Sequence, residues 1–195
     1  MEKGSGTEPC ESLKLARTAS ASLSIEGVEI AKIAARSLIE CLHREGNSDA
    51  ASRNPILVIS LSGRKLTDEG FDTFVDTLLE TLQKEKDGEQ SEGSVRLFRL
   101  RLGGNCLTAK SLPKLGMVIK LSAGDLRDLD LSQNCIKVGT FEQRDAWRDF
   151  LSSFDECSTL ESVDFSGNPL GLRGLKILLG ARFLRDQKAM DTVYL

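Results

Sequence analysis

The side chains that most often carry chemistry are scarce in this sequence. His43 is the single imidazole that could act as a general base, and it lies beside Arg44 at the end of a helical stretch, where a positive charge suits the helix dipole. The cysteines are dispersed, contain no CxxC pair and form no close set of metal ligands: Cys10, Cys41, Cys106, Cys135 and Cys157. The glycine-rich stretches lack the Lys-Ser/Thr of a phosphate loop and the GxGxxG spacing. We therefore predict a protein that is not an enzyme, with no catalytic residue, bound metal or cofactor.

The composition favours one soluble globular domain. Of 195 residues, 40% are hydrophobic and 28% are charged, and no apolar run approaches the roughly 20 residues of a membrane-spanning helix. A net charge of −3 gives no general basic field for nucleic acid. The start, Met1 to Pro9, lacks the apolar middle of a secretory signal, and the odd number of cysteines favours a reducing compartment. We expect an intracellular protein, cytoplasmic or nuclear, that binds no membrane and for which nucleic acid is a less favoured partner than protein.

Leucines recur at fixed spacing and reveal an internal repeat. Two copies of the pattern L-x-x-L-x-L-x-x-N-x-L begin at Leu97 and at Leu126 and have the same spacing, with Ile136 in place of the last leucine in the second. A third copy begins at Leu160, with Val and Phe in place of two leucines, and a fourth begins at Ile56. In the copy that begins at Ile56, Arg64 stands at the position of the asparagine.

Two partial copies extend the repeat toward both ends of the chain. They begin at Cys10 and at Met190, and the second stops at Leu195, where its turn should begin. The copies thus start near residues 10, 56, 97, 126, 160 and 190, with a basic period near 29 residues and insertions. We predict a flexible tail at 1–9 and a single repeat domain at 10–195, whose last repeat is incomplete, as in part of a longer polypeptide.

The pattern resembles that of leucine-rich repeat proteins, and its period resembles the ribonuclease-inhibitor-like subclass, in which an α-helix returns the chain to the next strand. The resemblance implies an α/β solenoid, a curved horseshoe segment with about six parallel β-strands on the concave face and α-helices on the convex face. A single repeat cannot bury its leucines alone, so the repeats would share one continuous core.

The asparagine of each repeat falls where the chain leaves the strand. A side-chain amide both donates and accepts hydrogen bonds, so it can satisfy backbone groups that the turn would bury unpaired. We predict that Asn105, Asn134 and Asn168 form a structural ladder through the stack. The guanidinium of Arg64 has no acceptor, so the first rungs are expected to be looser.

Helical periodicity occupies the segments between the strands. The stripes predicted to be core, rather than a cofactor pocket, are Ile30, Ile33, Ala34, Leu38, Cys41 and Leu42; Phe71, Phe74, Val75, Leu78 and Leu82; Trp147, Phe150, Leu151 and Phe154; and Leu175, Leu178 and Leu179. Thr140 and Gln143 have the spacing of a capping box, and Pro113 is tolerated only in a first helical turn.

Two cysteines, Cys106 and Cys135, each follow a ladder asparagine and should hold equivalent, outward positions on adjacent repeats. Neighbouring strands lie about 4.8 Å apart, which is within the reach of a disulfide. Two unpaired thiols in a reducing compartment are the simpler expectation. A redox-sensitive link is the alternative hypothesis.

The positions between the inward leucines project from the concave sheet, where partners of leucine-rich repeats commonly dock. At its centre a basic strand lies beside an acidic one, with Arg99 expected opposite Asp128 and Arg101 opposite Asp130. We assign the partner-binding residues to this surface: Arg99, Arg101, Asp128, Asp130, Asp164 and Tyr194. The alternative is that neighbouring opposite charges pair with each other and offer little to a partner.

The resemblance implies a non-enzymatic scaffold or adaptor that holds a protein partner on its concave face and loops. Two other functions stay open at this point. A regulator of a small GTPase, like the Ran GTPase-activating proteins, resembles this chain in repeat subclass, although no long acidic tail of the kind that family carries is seen. An RNA-export-type module would use the basic patch of Arg96, Arg99 and Arg101, but the neighbouring aspartates oppose phosphate binding.

Overall fold

The computed structural model describes residues 23–46, 56–86, 96–186 and 192–195, in which five strands alternate with helices. The strands are β1 (Ile56–Ser60), β2 (Arg96–Arg101), β3 (Asp128–Asp130), β4 (Ser162–Asp164) and β5 (Thr192–Tyr194). The helices are α1 (Leu23–Gly46), α2 (Asp68–Lys86), α3 (Leu112–Leu121), α4 (Phe141–Ser152), α5 (Gly171–Leu179) and α6 (Phe183–Asp186). A short 3-10 turn, Ala109–Ser111, leads directly into α3.

All neighbouring strands pair in parallel, in the order β1-β2-β3-β4-β5. The helices pack side by side in the same order, from α1 on α2 to α4 on α5. Each repeat thus adds one strand to the sheet and one helix to a layer behind it, which confirms the predicted α/β solenoid. The strand expected from Cys10 and the tail predicted at 1–9 lie outside the described residues. We call the sheet surface that points away from the helix layer the concave face.

Alternation along each strand separates a buried side from an exposed one. In β2, Leu97 and Leu100 are buried, whereas Arg99 and Arg101 are exposed. The buried leucines of successive strands join the apolar faces of the helices in one continuous core. Apolar burial contributes about 25 cal/mol per Å², and a repeat gains most of it only against its neighbours.

An aromatic cluster fills the core beneath α4. The rings of Trp147 and Phe165 meet edge to face with centroids 5.2 Å apart, and Phe154 stacks on Phe183 at 4.8 Å. Trp147 also donates its indole N–H to the carbonyl of Gly174, 3.1 Å away, so its one polar atom is satisfied. The aromatic stripe of α4 is therefore core, as predicted.

The ladder asparagines join each repeat to the one before it. Asn134 Nδ2 donates to the carbonyls of Leu102 and Leu131, at 2.9 and 3.1 Å, and its Oδ1 accepts the N–H of Leu107 at 3.1 Å. The other two ladder asparagines bond in the same way. Each amide supplies backbone partners that the turn itself lacks.

At the β1 end, Arg64 is held through its backbone. Asn105 Oδ1 accepts the N–H groups of Arg64 and Leu66, each at 3.0 Å, and Asn105 Nδ2 donates to the carbonyl of Leu61 at 2.9 Å. The rung that Asn105 forms between the first two described repeats is therefore fully bonded, and the rung of Arg64 with the copy before it lies outside the described residues. The Nε atom of Arg64 is buried and has no hydrogen-bond partner in the described residues.

One prediction about β1 is wrong. The repeat pattern assigns Ile56 to the buried side, but Ile56 is 37% exposed, whereas its neighbour Leu57 is 3% exposed. The register explains the difference, because Leu57 pairs with Leu97 and the next residue of β1 pairs with Arg99. Phe98 is thus a bulge without a partner on β1, and the bulge shifts β1 by one residue.

Two helix positions predicted to be core are exposed. Ile33 of α1 is 43% exposed, and Leu179 in the last turn of α5 is 64% exposed. In the described residues α1 packs chiefly on α2, and α5 packs chiefly on α4. A helix with one main neighbour buries a narrower face than its apolar stripe.

The helix starts agree with their predicted signals. The Thr140 hydroxyl accepts the N–H of Gln143, and the Gln143 side chain accepts the N–H of Thr140, which completes the capping box of α4. Pro113 lies in the first turn of α3, where its missing N–H removes no intrahelical bond.

Candidate protein-binding face

Two rows of side chains cross the concave face, one residue from each strand. The first row is Val58, Arg99, Asp128, Ser162 and Thr192, and the second is Ser60, Arg101, Asp130, Asp164 and Tyr194. The register confirms that Arg99 lies opposite Asp128 and that Arg101 lies opposite Asp130. All six residues assigned to partner binding therefore share one surface.

The ion pair on this surface runs diagonally between the rows. Arg101 Nη2 and Nε both donate to Oδ2 of Asp128, at 2.9 and 3.1 Å. Asp128, rather than the directly opposite Asp130, is thus the internal partner of Arg101. The pair neutralises two of the candidate residues against each other.

Arg99 is a cation of the concave face that takes no part in the Arg101–Asp128 pair. Its side chain is exposed, and no hydrogen bond or ion pair to it occurs in the described residues. The reason lies in its two neighbours in the row, since Asp128 is bonded to Arg101 and Val58 is apolar. Arg99 is therefore available to an external anion.

Two aspartates form the acidic part of the second row. Asp130 Oδ1 accepts the N–H and the hydroxyl of Ser132, at 2.9 and 2.6 Å, and Asp164 Oδ1 accepts the N–H of Ser166 at 2.8 Å. Both belong to an Asp-x-Ser sequence, so each carboxylate is oriented by its own turn. The Oδ2 atoms have no donor in the described residues. The two carboxylates are direct neighbours across β3 and β4 and carry uncompensated charge.

The Asp130 carboxylate lies close against the backbone of Gly103. A Cβ atom at Gly103 would lie 2.6 Å from Asp130 Oδ2 and 2.7 Å from Ser132 Oγ. The equivalent positions of the other repeats are serines, and only a residue without a side chain leaves room for Asp130 here. In the sequence this feature is visible as a glycine at a position of the repeat pattern where the other full copies have Ser62, Ser132 and Ser166.

Sequence reasoning missed a charged border along the starting ends of the strands. Arg127 lies 5.0 Å from the ring centroid of Phe98 and 3.0 Å from a carboxylate oxygen of Glu161. Arg96 lies 5.3 Å from the same ring and 2.6 Å from Asp125. The sequence does contain an indication of this border. Phe98, Arg127 and Glu161 each directly follow the first residue of a copy of the repeat pattern.

The last strand contributes Tyr194, which is 53% exposed and lies next to Asp164 in the second row. Its ring combines apolar area with a hydroxyl, a combination that is enriched at protein interfaces. The second row therefore ends in an aromatic side chain beside a carboxylate that has no ion-pair partner in the described residues.

The three described cysteines form no disulfide with one another and lie in different environments. Cys135 is exposed, Cys106 is half-buried and Cys157 is buried. Cys106 and Cys135 donate their N–H groups to Leu66 and Leu107, which places them at equivalent positions on adjacent repeats. Burial raises the pKa of the Cys157 thiol to about 11, with a smaller contribution from Glu156, so this thiol stays protonated and unreactive near neutral pH.

Over the part of the chain that the structure describes, no three His, Cys, Asp or Glu side chains are grouped so that they could hold a metal ion. No described helix combines the length and the apolar character needed to cross a bilayer. The backbone of His43 belongs to α1, and its side chain lies outside the described residues.

The comparison with protein families identifies one repeat unit. A family model described as Leucine Rich repeat matches residues 156–178, which span β4 and most of α5. No curated protein matches the chain. The matched unit recurs along the sheet as strand, asparagine turn and helix, and with it this chain has the leucine-rich repeat fold.

Proposed function

We propose that this chain is a non-enzymatic interaction module, a scaffold or adaptor that binds a protein partner through its concave face. The observation that carries the proposal is the set of three charged groups on that face without an ion-pair partner in the described residues: Arg99, Asp130 and Asp164. The leucine-rich repeat itself supports a protein-binding role in general, since the fold presents an extended surface.

The order of these charges favours a partner with both signs of charge. Arg99 lies on β2, and the two aspartates lie on β3 and β4, so the cation and the farther carboxylate are separated by two strand spacings, or about 10 Å. A partner with an acidic group above Arg99 and a basic group above Asp130 and Asp164 matches this order. Such complementarity determines the orientation of a partner and its rate of association.

The residues Arg101, Asp128 and Tyr194 have different roles in this proposal. Arg101 and Asp128 form an ion pair with each other, so they add no unpaired charge to the concave face. They contribute to the shape of the surface, and a charged group of the partner can replace either member of the pair. Tyr194 supplies apolar contact area beside Asp164, in the manner of an interface anchor.

The pairing of the arginines favours protein over RNA as the partner. Arg96 is bonded to Asp125 and Arg101 to Asp128, which leaves Arg99 as the unpaired member of the basic patch. Backbone phosphates are bound by several cations together, and the neighbouring carboxylates repel them.

Quantitative affinity capture from extracts of the source cell tests the proposal. Arg99→Glu reverses the free cation, and Asp164→Asn removes a charge but keeps the oxygen that accepts from Ser166. Arg173→Glu on the exposed surface of α5 is the matched control. We expect at least one protein to be recovered by the wild type and the control and to be depleted about tenfold or more in both face variants. Equal recovery by all four proteins would exclude the concave face as the binding surface.

A further inference from the structure

A cavity of about 310 Å³ lies between α4 and α5, in the helix layer behind the sheet. Its apolar lining comes from Leu151 of α4, which is buried, and from Ile177 and Ala181, which are half-buried. Most of the other side chains around it are exposed, so the cavity opens to solvent. The volume is at the lower end of the range of ligand sites, and it gives room for an apolar side chain of a bound molecule.

The rim of this cavity is basic. Arg148 of α4, Lys176 of α5 and Arg182 lie on it with exposed side chains. Asp155 is the single carboxylate among the lining residues. The whole chain has a net charge of −3, so the rim has the opposite sign of charge to the protein as a whole. A local excess of positive charge at a partly enclosed surface concentrates anions there.

Lys176 is the rim cation from which a ligand gains most. Arg148 donates to the Asp145 carboxylate at 2.7 Å, one helical turn away, so its charge is partly compensated. The ammonium group of Lys176 makes no hydrogen bond or ion pair with a side chain of the ranges that the structure describes. Its own helix, α5, contains no acidic residue that could pair with it. An anion at the rim therefore meets a cation that no described carboxylate occupies.

An apolar interior and a basic rim together fit a ligand that combines an apolar group with negative charge. An inorganic anion would leave Leu151 and Ile177 without contacts, and a cationic ligand would be repelled by the rim. A peptide in which a leucine or phenylalanine lies between acidic residues has both properties. A groove between two packed helices is also a common binding site for a peptide segment.

We propose that this cavity binds an acidic peptide segment of a protein partner, with an apolar side chain of the segment inside the cavity and a flanking carboxylate paired with Lys176. The site lies in the helix layer, whereas Arg99, Asp130 and Asp164 lie on the concave face. The two surfaces share no residue, so binding at one does not depend on binding at the other.

Amide chemical shifts of the isotope-labelled full-length chain test the site. The probe is the capped peptide Glu-Glu-Leu-Glu-Glu, and two matched control peptides have lysine in place of glutamate or serine in place of leucine. We expect the probe to cause saturable shift changes within residues 148–155 and 176–182, with a Kd of about 1 mM or tighter. Each control peptide should bind about fivefold or more weakly, because it lacks either the negative charge or the apolar side chain.

Two variants test which residues bind the probe peptide. Lys176→Glu reverses a rim charge and should weaken binding about fivefold or more, whereas the matched Lys120→Glu on the exposed surface of α3 should leave the Kd unchanged. Ser152→Phe places a ring over the cavity and should block binding. Ser152 is exposed and its hydroxyl bonds to the carbonyl of Asp149 in the same helix, so the replacement is compatible with the fold. Ser158→Phe, at an exposed serine outside the cavity, is its control.

Any of three results overturns the proposal. The first is the absence of saturable shift changes in residues 148–155 and 176–182 at up to about 5 mM probe peptide, including the case in which the changes occur on β2, β3 and β4 instead. The second is equal affinity for the probe and for either control peptide. The third is equal affinity of Lys176→Glu and Lys120→Glu for the probe, since the rim charge would then play no part in binding.

Discussion

Arg101 pairs diagonally with Asp128, Nη2 to Oδ2 at 2.9 Å, although Asp130 is the residue directly opposite it on β3. Asp130 is oriented instead by Ser132, which donates both its N–H and its hydroxyl to Oδ1. The diagonal pair leaves Arg99 and Asp130 without an ion-pair partner in the described residues. The concave face therefore carries one internal ion pair together with charged side chains of both signs that are not ion-paired in the described residues.

We expect the Arg101–Asp128 pair to contribute about 0.2 to 1 kcal/mol to the free energy of unfolding, because Arg101 is largely exposed to water. A double-mutant cycle of Arg101→Met and Asp128→Asn, measured by urea denaturation, gives this coupling free energy. Raising the salt concentration from about 0.1 M to about 1 M should reduce it. A much larger coupling that is insensitive to salt would contradict this interpretation of the pair.

Gly103→Ala should reduce the free energy of unfolding by about 1 to 2 kcal/mol, because the added Cβ displaces the Asp130 carboxylate from Ser132. Urea denaturation measures the effect, which should be smaller when Asp130→Ala is already present. Gly124→Ala is the matched control, since a Cβ at Gly124 meets no atom within 4 Å. Equal losses in the two alanine variants would show that the contact with Asp130 is not the cause.

Asn134→Ala should reduce the free energy of unfolding by about 2 to 4 kcal/mol. The substitution leaves the N–H of Leu107 and the carbonyls of Leu102 and Leu131 without their amide partner in the core. Equilibrium unfolding in urea measures the loss. Cys135→Ala, at the exposed neighbouring position, should change the free energy of unfolding by less than about 0.5 kcal/mol. A loss for Asn134→Ala as small as that for Cys135→Ala would refute the structural role of the ladder.

The raised pKa of Cys157 predicts a loss of stability at alkaline pH. Its folded-state pKa of about 11 exceeds that of an unfolded thiol, about 8.5, so the unfolded chain gives up this proton first as the pH rises. The stabilising contribution is complete below about pH 8.5 and is lost by about pH 11, a change of about 3 kcal/mol. The free energy of unfolding of the wild type should therefore fall more steeply over this interval than that of Cys157→Ala.

Alkylation of the thiols provides a separate check on Cys157. At about pH 8 the exposed Cys135 should react readily with iodoacetamide, whereas Cys157 should react only after unfolding. Parallel pH profiles for wild type and Cys157→Ala, or rapid alkylation of Cys157 in the folded chain, would show that its environment is not apolar.

Much of the fold could be predicted because the leucine spacing specifies local geometry that repeats. The copies that begin at Leu97 and Leu126 predict both the strands and their register, and Arg99 accordingly lies opposite Asp128. The capping box of Thr140 and Gln143 is equally local, because its two residues are one helical turn apart. Such features depend only on residues that are close in the chain or that hold the same position in the next repeat. The repeat pattern specifies both, so these features can be predicted.

Other features depend on contacts that no repeat pattern contains. The bulge at Phe98 reverses the burial of Ile56 and Leu57, and the pairing of Arg101 with Asp128 follows from where Ser132 holds Asp130. The repeat pattern specifies which side of a strand a residue occupies. The rotamers, bulges and competing hydrogen bonds of the folded chain decide which atom that residue touches.

The sequence by itself therefore determined the repeat, the parallel order of the strands and the face on which the charged residues lie, because these follow from periodicity and strand alternation. Only the tertiary structure decided which charges are neutralised, leaving Arg99, Asp130 and Asp164 without an ion-pair partner in the part of the chain that the structure describes. The physical reason is that hydrogen bonds and ion pairs form over distances of about 3 Å, and residues 27 or more positions apart reach that distance only when the repeats stack.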